Sequence, residues 1–359
     1  MRLVNHLFIA CGRMAMVVGI CLGRGVAEPE KPAVAVQKII DYAPLAFQPK
    51  TWQERGMDTQ MMVWPGKEIV FLVQPGNYDS ALMKKWVARL DQGWTLYREI
   101  TGRSPRLFKQ VEKMPVIAAV PAGGFTCGAG CGYVGSTGIE LAMFHSDNYP
   151  ALKTDPESMP HYVYYEMGRN FYTFGDRHSC FITGFAVFMR YICMDAVGCK
   201  DVDLPTRRTI ESLEPMFKSS KLDFVELFTN AAGTGEKGHR IKDAKGRAIT
   251  PSDQPCTYAS AMMRLHRECG GNDWLKRFFA QLGLCAEIKP TTPEAARTQC
   301  WNWMICASLA AKRDLSPIFA DEWGLAIHAE ARDQLAKIDW KNAALDVTKV
   351  TAEVAPRWK

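Results

Sequence analysis

The chain has 359 residues, of which 23% are charged and 47% hydrophobic. These fractions exclude a disordered, collagen-like or multi-span membrane protein and indicate an ordinary globular chain. The formal net charge is +6, and without the N-terminal Arg2, Arg13 and Arg24 it is +3, since 41 basic residues then face 38 acidic ones. So small a charge disfavours nucleic acid or an acidic membrane surface as the main partner.

Residues 1–27 predict a secretory signal. Two arginines lie before or next to the apolar run Met14–Leu22, and the small residues Gly25 and Ala27 suit a cleavage site. The run has nine residues, whereas a membrane-spanning helix needs roughly 20. We therefore expect export to a secreted, periplasmic or extracellular location, with Glu28 as the first mature residue and no membrane span after cleavage. An uncleaved anchor is the alternative.

The first part of the mature chain alternates short apolar runs with turns. Residues 28–60 are rich in Pro and weakly periodic, which predicts a lead-in that runs over the surface. Met61–Trp64 and Glu68–Gln74 flank a Pro-Gly pair and predict a hairpin. Ser80–Thr101 carries apolar residues at three- and four-residue spacing, which predicts an amphipathic helix. The apolar run Pro115–Val120 predicts a buried strand.

A glycine cluster follows, with seven glycines from Gly123 to Gly138. A phosphate-binding loop of this kind opens directly into a helix, and one common form ends in Gly-Lys-Ser/Thr. Here the cluster leads instead into the apolar run Ile139–Phe144 and has no such ending. We therefore predict a turn-rich β segment pinned by a Cys127–Cys131 disulfide.

Helical patterns dominate the chain from Pro160 onward. Several predicted helices begin with Thr-Pro or Ser-Pro, which combines a capping residue with proline at the first helical position. The predicted helices are Pro160–Phe174, Phe181–Asp195, Thr206–Lys218, Asp223–Ala231, Tyr258–Glu268, Asp273–Leu282, Pro293–Arg313, Pro317–Trp323 and His328–Ile338. We expect a β-rich lobe over residues 61–150 and a helical lobe over residues 151–345, together one α+β unit.

Ten cysteines remain after the predicted signal. An even number of cysteines in an exported chain indicates disulfides. Cys127–Cys131 and Cys193–Cys199 are close enough in sequence for local bridges, and the other pairings stay open. A zinc cluster is the alternative, but the sequence has no Cys-x-x-Cys pair of the kind that structural zinc sites favour.

One segment carries the strongest indication of function. Residues 159–171 read Met-Pro-His-Tyr-Val-Tyr-Tyr-Glu-Met-Gly-Arg-Asn-Phe. This segment resembles the active-site helix of zincin metallopeptidases, in which His-Glu-x-x-His often continues into Asn-Phe. In that motif both histidines bind one zinc ion and the glutamate polarises the bound water. The resemblance aligns Glu166 with the glutamate and places Tyr165 and Arg169 where the histidines would be.

The resemblance extends, as architecture, over residues 62–340 and is to gluzincin-type enzymes of the enhancin and mucinase kind. It implies a zincin-like fold with an N-terminal mixed β-sheet and a mainly helical C-terminal lobe. Four segments correspond to the helix before the sheet, the edge strand, the second active-site helix and the closing helices: Tyr97–Gly102, Cys131–Glu140, Phe181–Asp195 and Asp314–Leu325. The family's third ligand is a glutamate on the second helix, but Gly184–Phe188 offers no carboxylate.

The residues at the ligand positions argue against a zinc site. The Arg169 guanidinium is always protonated and would repel a divalent cation. The Tyr165 phenol has a reference pKa near ~10 and would need strong activation to bind metal. We therefore predict no metal and no cofactor. The alternative is zinc held by unexpected ligands such as His161 and His178.

A different role is open to these residues. His161, Tyr165 and Arg169 share one face of the predicted helix, and together with Asn170 they are the predicted binding residues. Glu166 is catalytic only if activity remains. These residues predict a secreted peptidase homologue, without catalysis, that binds peptide or glycan in the inherited cleft.

Three other possibilities stay open. The first is an active metallopeptidase that uses Glu166 with non-standard metal ligands. The second is metal-free hydrolysis through Glu166, with Glu140 or Asp176 as a second carboxylate. The third is a structural protein of the cell envelope. A further possibility is a sugar-stacking pair formed by Trp301 and Trp303.

Overall fold

The computed structural model describes residues 38–174, 179–228, 240–285 and 293–343. Within these ranges the chain forms a mixed β-sheet first and continues mainly as helices. The predicted α+β fold is therefore confirmed. The predicted signal, Asp176 and His178 lie outside the described residues. No helix within the described ranges is both long enough and apolar enough to cross a membrane.

The sheet is built from seven short strands. These are β1 Ile39–Asp41, β2 Gln60–Pro65, β3 Val70–Val73, β4 Gln110–Val111, β5 Met114–Ala119, β6 Gly130–Gly132 and β7 Ile139–Leu141. The main order is β1-β2-β3-β5-β7-β6, with β4 paired to the start of β5. β5 runs parallel to β3 and β7, and the other pairs are antiparallel. The predicted hairpin is thus β2–β3, and β6 lies at the sheet edge where the resemblance places the edge strand.

The helices follow in chain order. They are α1 Pro49–Glu54, α2 Ser80–Thr101, α3 Tyr149–Thr154, α4 Tyr162–Phe171, α5 Ser179–Val197, α6 Leu204–Glu211, α7 Phe217–Ser220, α8 Phe224–Phe228, α9 Gln254–Cys269, α10 Gly271–Leu282, α11 Pro293–Ala311 and α12 Ala329–Ala336. Two further strands, β8 Ser158–Met159 and β9 Lys200–Asp201, form a parallel pair beside α4. The predicted helical segments thus carry helices, although residues 204–228 hold three short α-helices in place of two, and the predicted Pro317–Trp323 carries a π-helix, Ile318–Glu322.

Helix α2 has the bounds that its sequence predicts. The Asp79 side chain accepts hydrogen bonds from the backbone amides of Ala81 at 2.8 Å and Leu82 at 3.0 Å, which caps the first turn. The helix ends at Gly102, whose φ of 64° is the left-handed conformation that glycine adopts without a steric penalty. Its apolar face packs on the sheet and carries Trp86 and Tyr97, both fully buried.

The two faces of the sheet are covered by different parts of the chain. Phe71, Ile117 and Ile139 point into the large core that α2, α4 and α5 share. Alternate residues of the same strands, such as Leu72 and Ala118, point into a smaller core on the opposite face. This alternation follows from the two-residue period of a β-strand.

Residues 38–60 are mostly exposed or half-buried, but they belong to the sheet lobe and are anchored to it by a few buried side chains. β1 pairs with β2, and Tyr42 and Trp52 are only 1% and 0% exposed in the smaller core. The sequence pattern missed this because two isolated aromatic residues give no periodicity, although each buries a large apolar area. Residues 28–37 lie outside the described part of the chain.

Of the two local cysteine pairs that are close enough in sequence for a disulfide, one forms it and the other does not. Cys127 and Cys131 form a disulfide immediately before and within β6. Cys193 and Cys199 are both thiols, and Cys193 is buried in the core. The Cys199 thiol contacts the Tyr164 hydroxyl instead.

Candidate functional site

The candidate site lies where edge strand β6 crosses helix α4. A Cβ atom on Gly130 would stand 2.8 Å from Cγ of Glu166, and one on Gly132 would stand 2.5 Å from the Glu166 carbonyl oxygen. Contacts this short leave no room for a side chain. Glycine at both positions therefore lets the strand lie directly on the helix that carries the zincin-like segment.

The Glu166 side chain is buried beneath this strand and is only 7% exposed. Burial raises the pKa of its carboxyl to about 7, while the Arg169 guanidinium and the Gly132 amide oppose the shift. Burial dominates because the low-dielectric interior disfavours the charged carboxylate. Glu166 can therefore exchange a proton close to neutral pH.

Tyr165 and Arg169 lie together between α4 and α5. The Arg169 guanidinium donates a 3.4 Å hydrogen bond from Nη1 to the Thr183 hydroxyl of α5. Burial raises the pKa of the Tyr165 phenol, against the opposing effects of Arg169 and Thr183. A second guanidinium, that of Arg190, lies 6.0 Å from the centre of the Tyr165 ring. The Tyr165 phenol and the Arg169 guanidinium are thus neighbours, and a second guanidinium lies near the phenol.

These residues do not fit a zinc ion. Arg169 has no lone pair to donate, and a phenol whose pKa is raised resists becoming the phenolate that metal requires. Across the described ranges, no group of three His, Cys, Asp or Glu side chains could hold a metal ion. The alternative ligand His178 is not among those residues. We derive no chemical step through zinc.

His161 turns away from Glu166 toward strand β9. Its Nδ1 lies 3.3 Å from Oδ1 of Asp201, and its Nε2 lies 3.9 Å from Oδ2 of Asp203. Its ring also packs edge-on against Tyr191, with the ring centres 5.6 Å apart. The structure therefore places His161 with two aspartates, beside the first turn of α4.

A cavity of about 250 Å³ opens next to His161. Apolar walls are formed by residues such as Met143 and Pro160. The polar side chains that line it are Asp147, Asn148, Ser158, His161, Tyr162 and Asp203. They offer both hydrogen-bond donors and acceptors, which is the composition of a site for a polar ligand with an apolar face.

Tyr162 connects this cavity to Glu166. Its hydroxyl donates a 2.5 Å hydrogen bond to Oδ1 of Asn148. The pKa of Tyr162 is raised by burial first, and then by the negative charges of Glu166 and Asp147. Tyr162 and Glu166 are one helical turn apart, so they share a face of α4. The cavity and the buried carboxyl therefore lie along one side of the helix.

Asn170 holds the strand connection rather than lining the cavity. Its side-chain amide is fully buried and donates hydrogen bonds to the carbonyl oxygens of Tyr133 at 2.9 Å and Gly138 at 3.2 Å. Both acceptors belong to the turn between β6 and β7. Asn170 thus fixes the edge strand on α4.

Glu140 is a second buried carboxyl, but it lies on the opposite face of the sheet. It accepts hydrogen bonds from the Tyr42 hydroxyl at 2.8 Å and the Phe47 amide at 2.9 Å. Burial raises its pKa to about 7, although the Phe47 amide and the Tyr42 hydroxyl oppose the shift. Glu140 and Glu166 therefore cannot act as paired carboxylates across one cleft.

The predicted sugar-stacking tryptophans lie in the core, and several cavity residues were not predicted. Trp301 and Trp303 are 5% and 1% exposed, so they belong to the core and form no sugar platform. The cavity residues Asn148, Tyr162 and Asp203 were missed, because strand pairing between distant segments brings them together. The burial of Glu140 could have been predicted from its neighbours Ile139 and Leu141, since an acidic residue within an apolar strand indicates a buried carboxyl.

Comparison with known proteins supports the fold alone. No family model matches the sequence, and no curated protein matches it. A functionally unknown conserved protein from Bacillus anthracis str. Ames matches the structure with 13% identity and a TM-score of 0.50, over 84% of this chain and 56% of that one. The chain thus spans about half the length of that structure, and the likeness supports the fold alone.

A second solved structure is also similar. It contains the CBM32-1, CBM32-2 and M60 catalytic domains of Clostridium perfringens ZmpB. The TM-score is 0.44 and the identity 12%, over 84% of this chain and 28% of that one.

Proposed function

We propose that this protein is a secreted, peptidase-like protein that no longer catalyses and that binds a peptide or glycan beside helix α4. The observation that carries the proposal is the cavity of about 250 Å³ next to Tyr162, on the side of α4 that also holds Glu166. A fixed cation, Arg169, stands near Glu166 where the zincin-like motif would have a metal ligand.

The lining of the cavity suits hydroxyl and amide groups. The carboxylates of Asp147 and Asp203 can accept hydrogen bonds from sugar hydroxyls or peptide N–H groups. The imidazole of His161 is held in place by Asp201, at 3.3 Å. A side chain that is already positioned loses less entropy when a ligand binds.

Arrays of peptides and of glycans, probed with the purified protein, test this function. The informative variant is Asp203→Asn, because the Asp203 side chain is 46% exposed and the change should leave the fold intact. Asp321→Asn is the matched control, since Asp321 is 56% exposed and its ion pair with Arg332 lies outside the cavity. We expect binding that Asp203→Asn weakens and Asp321→Asn preserves. A protein that binds nothing on either array would contradict the proposal and favour a structural role in the cell envelope.

An active hydrolase is the second candidate, and the pKa of Glu166 favours it. A carboxyl that titrates at about 7 can serve as a general acid or base at neutral pH. Zinc quantification and a peptidase assay, each with Glu166→Gln alongside, separate the two functions. We expect no stoichiometric zinc and no turnover. Turnover that Glu166→Gln abolishes would replace the binding proposal.

A further inference from the structure

Two cysteines that are distant in sequence meet between helices α10 and α11. The Sγ atoms of Cys285 and Cys306 are 3.5 Å apart, and 21 positions separate the two residues. Cys306 is fully buried in the middle of α11. Cys285 is half-buried and follows the last residue of α10, Leu282, by three positions.

The position of Cys285 favours a covalent bond between the two. A disulfide requires the sulfur atoms to approach to about 2.05 Å. Cys306 is fixed within a helix, but Cys285 lies in the turn after α10, where its amide donates a 3.2 Å hydrogen bond to the Leu282 carbonyl oxygen. A small backbone adjustment there would affect the last turn of α10 alone. The two Sγ atoms need to close a gap of less than ~2 Å, which a rotation of the Cys285 side chain with a small shift can provide.

We propose that Cys285 and Cys306 are an oxidation site and form a second disulfide of this protein when a small-molecule disulfide such as glutathione disulfide is present. The Cys285 thiolate attacks the oxidant, forms a mixed disulfide and releases one glutathione thiolate. The Cys306 thiolate then attacks the Cys285 sulfur and releases the second. Two thiol protons leave the protein, and the two electrons reduce glutathione disulfide to two glutathione molecules.

The order of these steps follows from exposure. Burial raises the pKa of the Cys306 thiol well above its usual range, so little of it is thiolate before the mixed disulfide forms. Cys285 is the more accessible of the two and meets the oxidant first. The buried Cys306 thiol then attacks the Cys285 sulfur of the mixed disulfide, which already lies next to it.

The bond would fix a region next to the candidate site. Cys285 borders a small internal space that Tyr172 and Phe174, just after α4, also line. The guanidinium of Arg103 donates to the Thr173 carbonyl at 2.7 Å and to the Gly283 carbonyl at 3.0 Å. The disulfide would therefore fasten the end of α10, which Arg103 already joins to the chain that leaves α4, to helix α11. The inference is independent of which ligand the protein binds.

Peptide mapping under non-reducing conditions tests the inference. The purified full chain is reduced, desalted, incubated with a glutathione buffer rich in the disulfide, and alkylated in denaturant. Digestion uses trypsin and then chymotrypsin, which cleaves after Trp301 and Trp303 and so separates Cys300 from Cys306. We expect a cross-linked pair of peptides containing Cys285 and Cys306, two hydrogen masses lighter than the sum of the thiol forms.

Matched controls keep the result interpretable. Cys193 and Cys199 are nearer in sequence, and we expect both to be recovered alkylated. The Tm difference between oxidised and reduced protein should shrink in Cys285→Ser and persist in Cys199→Ser. Recovery of alkylated Cys285 and Cys306 while Cys127–Cys131 is oxidised would overturn the inference. A Cys285 bridge to any other cysteine would overturn it equally.

Discussion

Gly132 and Glu166 are in direct contact through their backbones, and this contact sets how closely strand β6 approaches helix α4. A single methyl group on Gly132 would lie 2.5 Å from the Glu166 carbonyl oxygen. The buried position of the Glu166 carboxyl depends on this approach, because the same strand covers it. Four predictions follow from this region of the fold.

Gly132→Ala should destabilise the protein. The added methyl group meets backbone, which cannot rotate away, so the strand must move off the helix. Overpacking of this kind costs about 1–3 kcal/mol of the free energy of unfolding, measured by urea denaturation. Gly128→Ala is the control, because the nearest atom to its added Cβ would be 3.8 Å away. Equal denaturation midpoints for the two variants would contradict the contact.

Stability should depend on pH through Glu166. Its pKa in the folded protein is about 7, above the ordinary glutamate pKa of 4.5, so the folded state holds the proton more tightly than the unfolded state. The stabilisation is therefore complete below the unfolded pKa and is lost as the pH rises through 7. Glu166→Gln removes this dependence, since glutamine is neutral throughout.

Urea denaturation of both proteins at pH 5 and pH 8 measures the effect. We expect the wild type to lose up to about 3 kcal/mol relative to Glu166→Gln between these values. Glu140→Gln should behave similarly, because burial also raises the pKa of Glu140 to about 7. A difference between wild type and variant that stays constant with pH would show that the pKa of Glu166 is not raised in the folded protein.

Arg169→Met should raise the pKa of Glu166 further. The guanidinium opposes the effect of burial on the carboxyl, so its removal leaves burial less opposed. Carbon-13 NMR of labelled glutamate follows the titration directly. Arg106→Met is the control, since the Arg106 guanidinium bonds the Ser136 hydroxyl and is not among the groups that shift the pKa of Glu166. An unchanged Glu166 titration in Arg169→Met would mean that the two groups do not interact.

Asn170→Ala should lower stability, because it removes two buried hydrogen bonds at once. The Tyr133 carbonyl oxygen would lose the Asn170 donor, and the Gly138 carbonyl oxygen would keep only the Tyr133 amide, at 3.2 Å. Leaving buried acceptors unsatisfied costs about 2 kcal/mol, measured by thermal and urea denaturation. Asn342→Ala, at an exposed turn, should be close to neutral. If Asn170→Ala kept full stability and lost ligand binding alone, Asn170 would be a binding residue as the sequence predicts.

Local patterns predicted much of the fold. Helix α2, the β2–β3 hairpin and β5 follow from spacing and caps within their own segments. Helix α3 was not predicted, because its six residues are too few to show a helical repeat, although Pro150 lies in its first turn, where proline suits a helix. The burial of Tyr42 and Trp52, which precede β2, was not predicted, because two isolated aromatic residues form no repeating pattern.

The candidate site could be predicted only in part. The zincin-like segment located α4 and brought out Tyr165, Glu166 and Arg169. The partner of His161 could not be predicted, because Asp201 is 40 positions away. The register of β8 with β9, in which Met159 pairs with Asp201, brings them together. Pairings of this kind depend on the whole fold and leave no local pattern.

The two hydrogen bonds of the Arg103 guanidinium have a practical consequence for the expression of fragments of the protein. This one side chain follows α2, yet its two acceptors lie 70 and 180 positions further along the chain. A fragment that stopped just before Gly283 would leave the guanidinium with one of its two acceptors, and a fragment that stopped after the sheet would leave it with neither. We therefore expect that the β-rich lobe and the helical lobe do not fold when they are expressed separately. Limited proteolysis should yield one stable core rather than two.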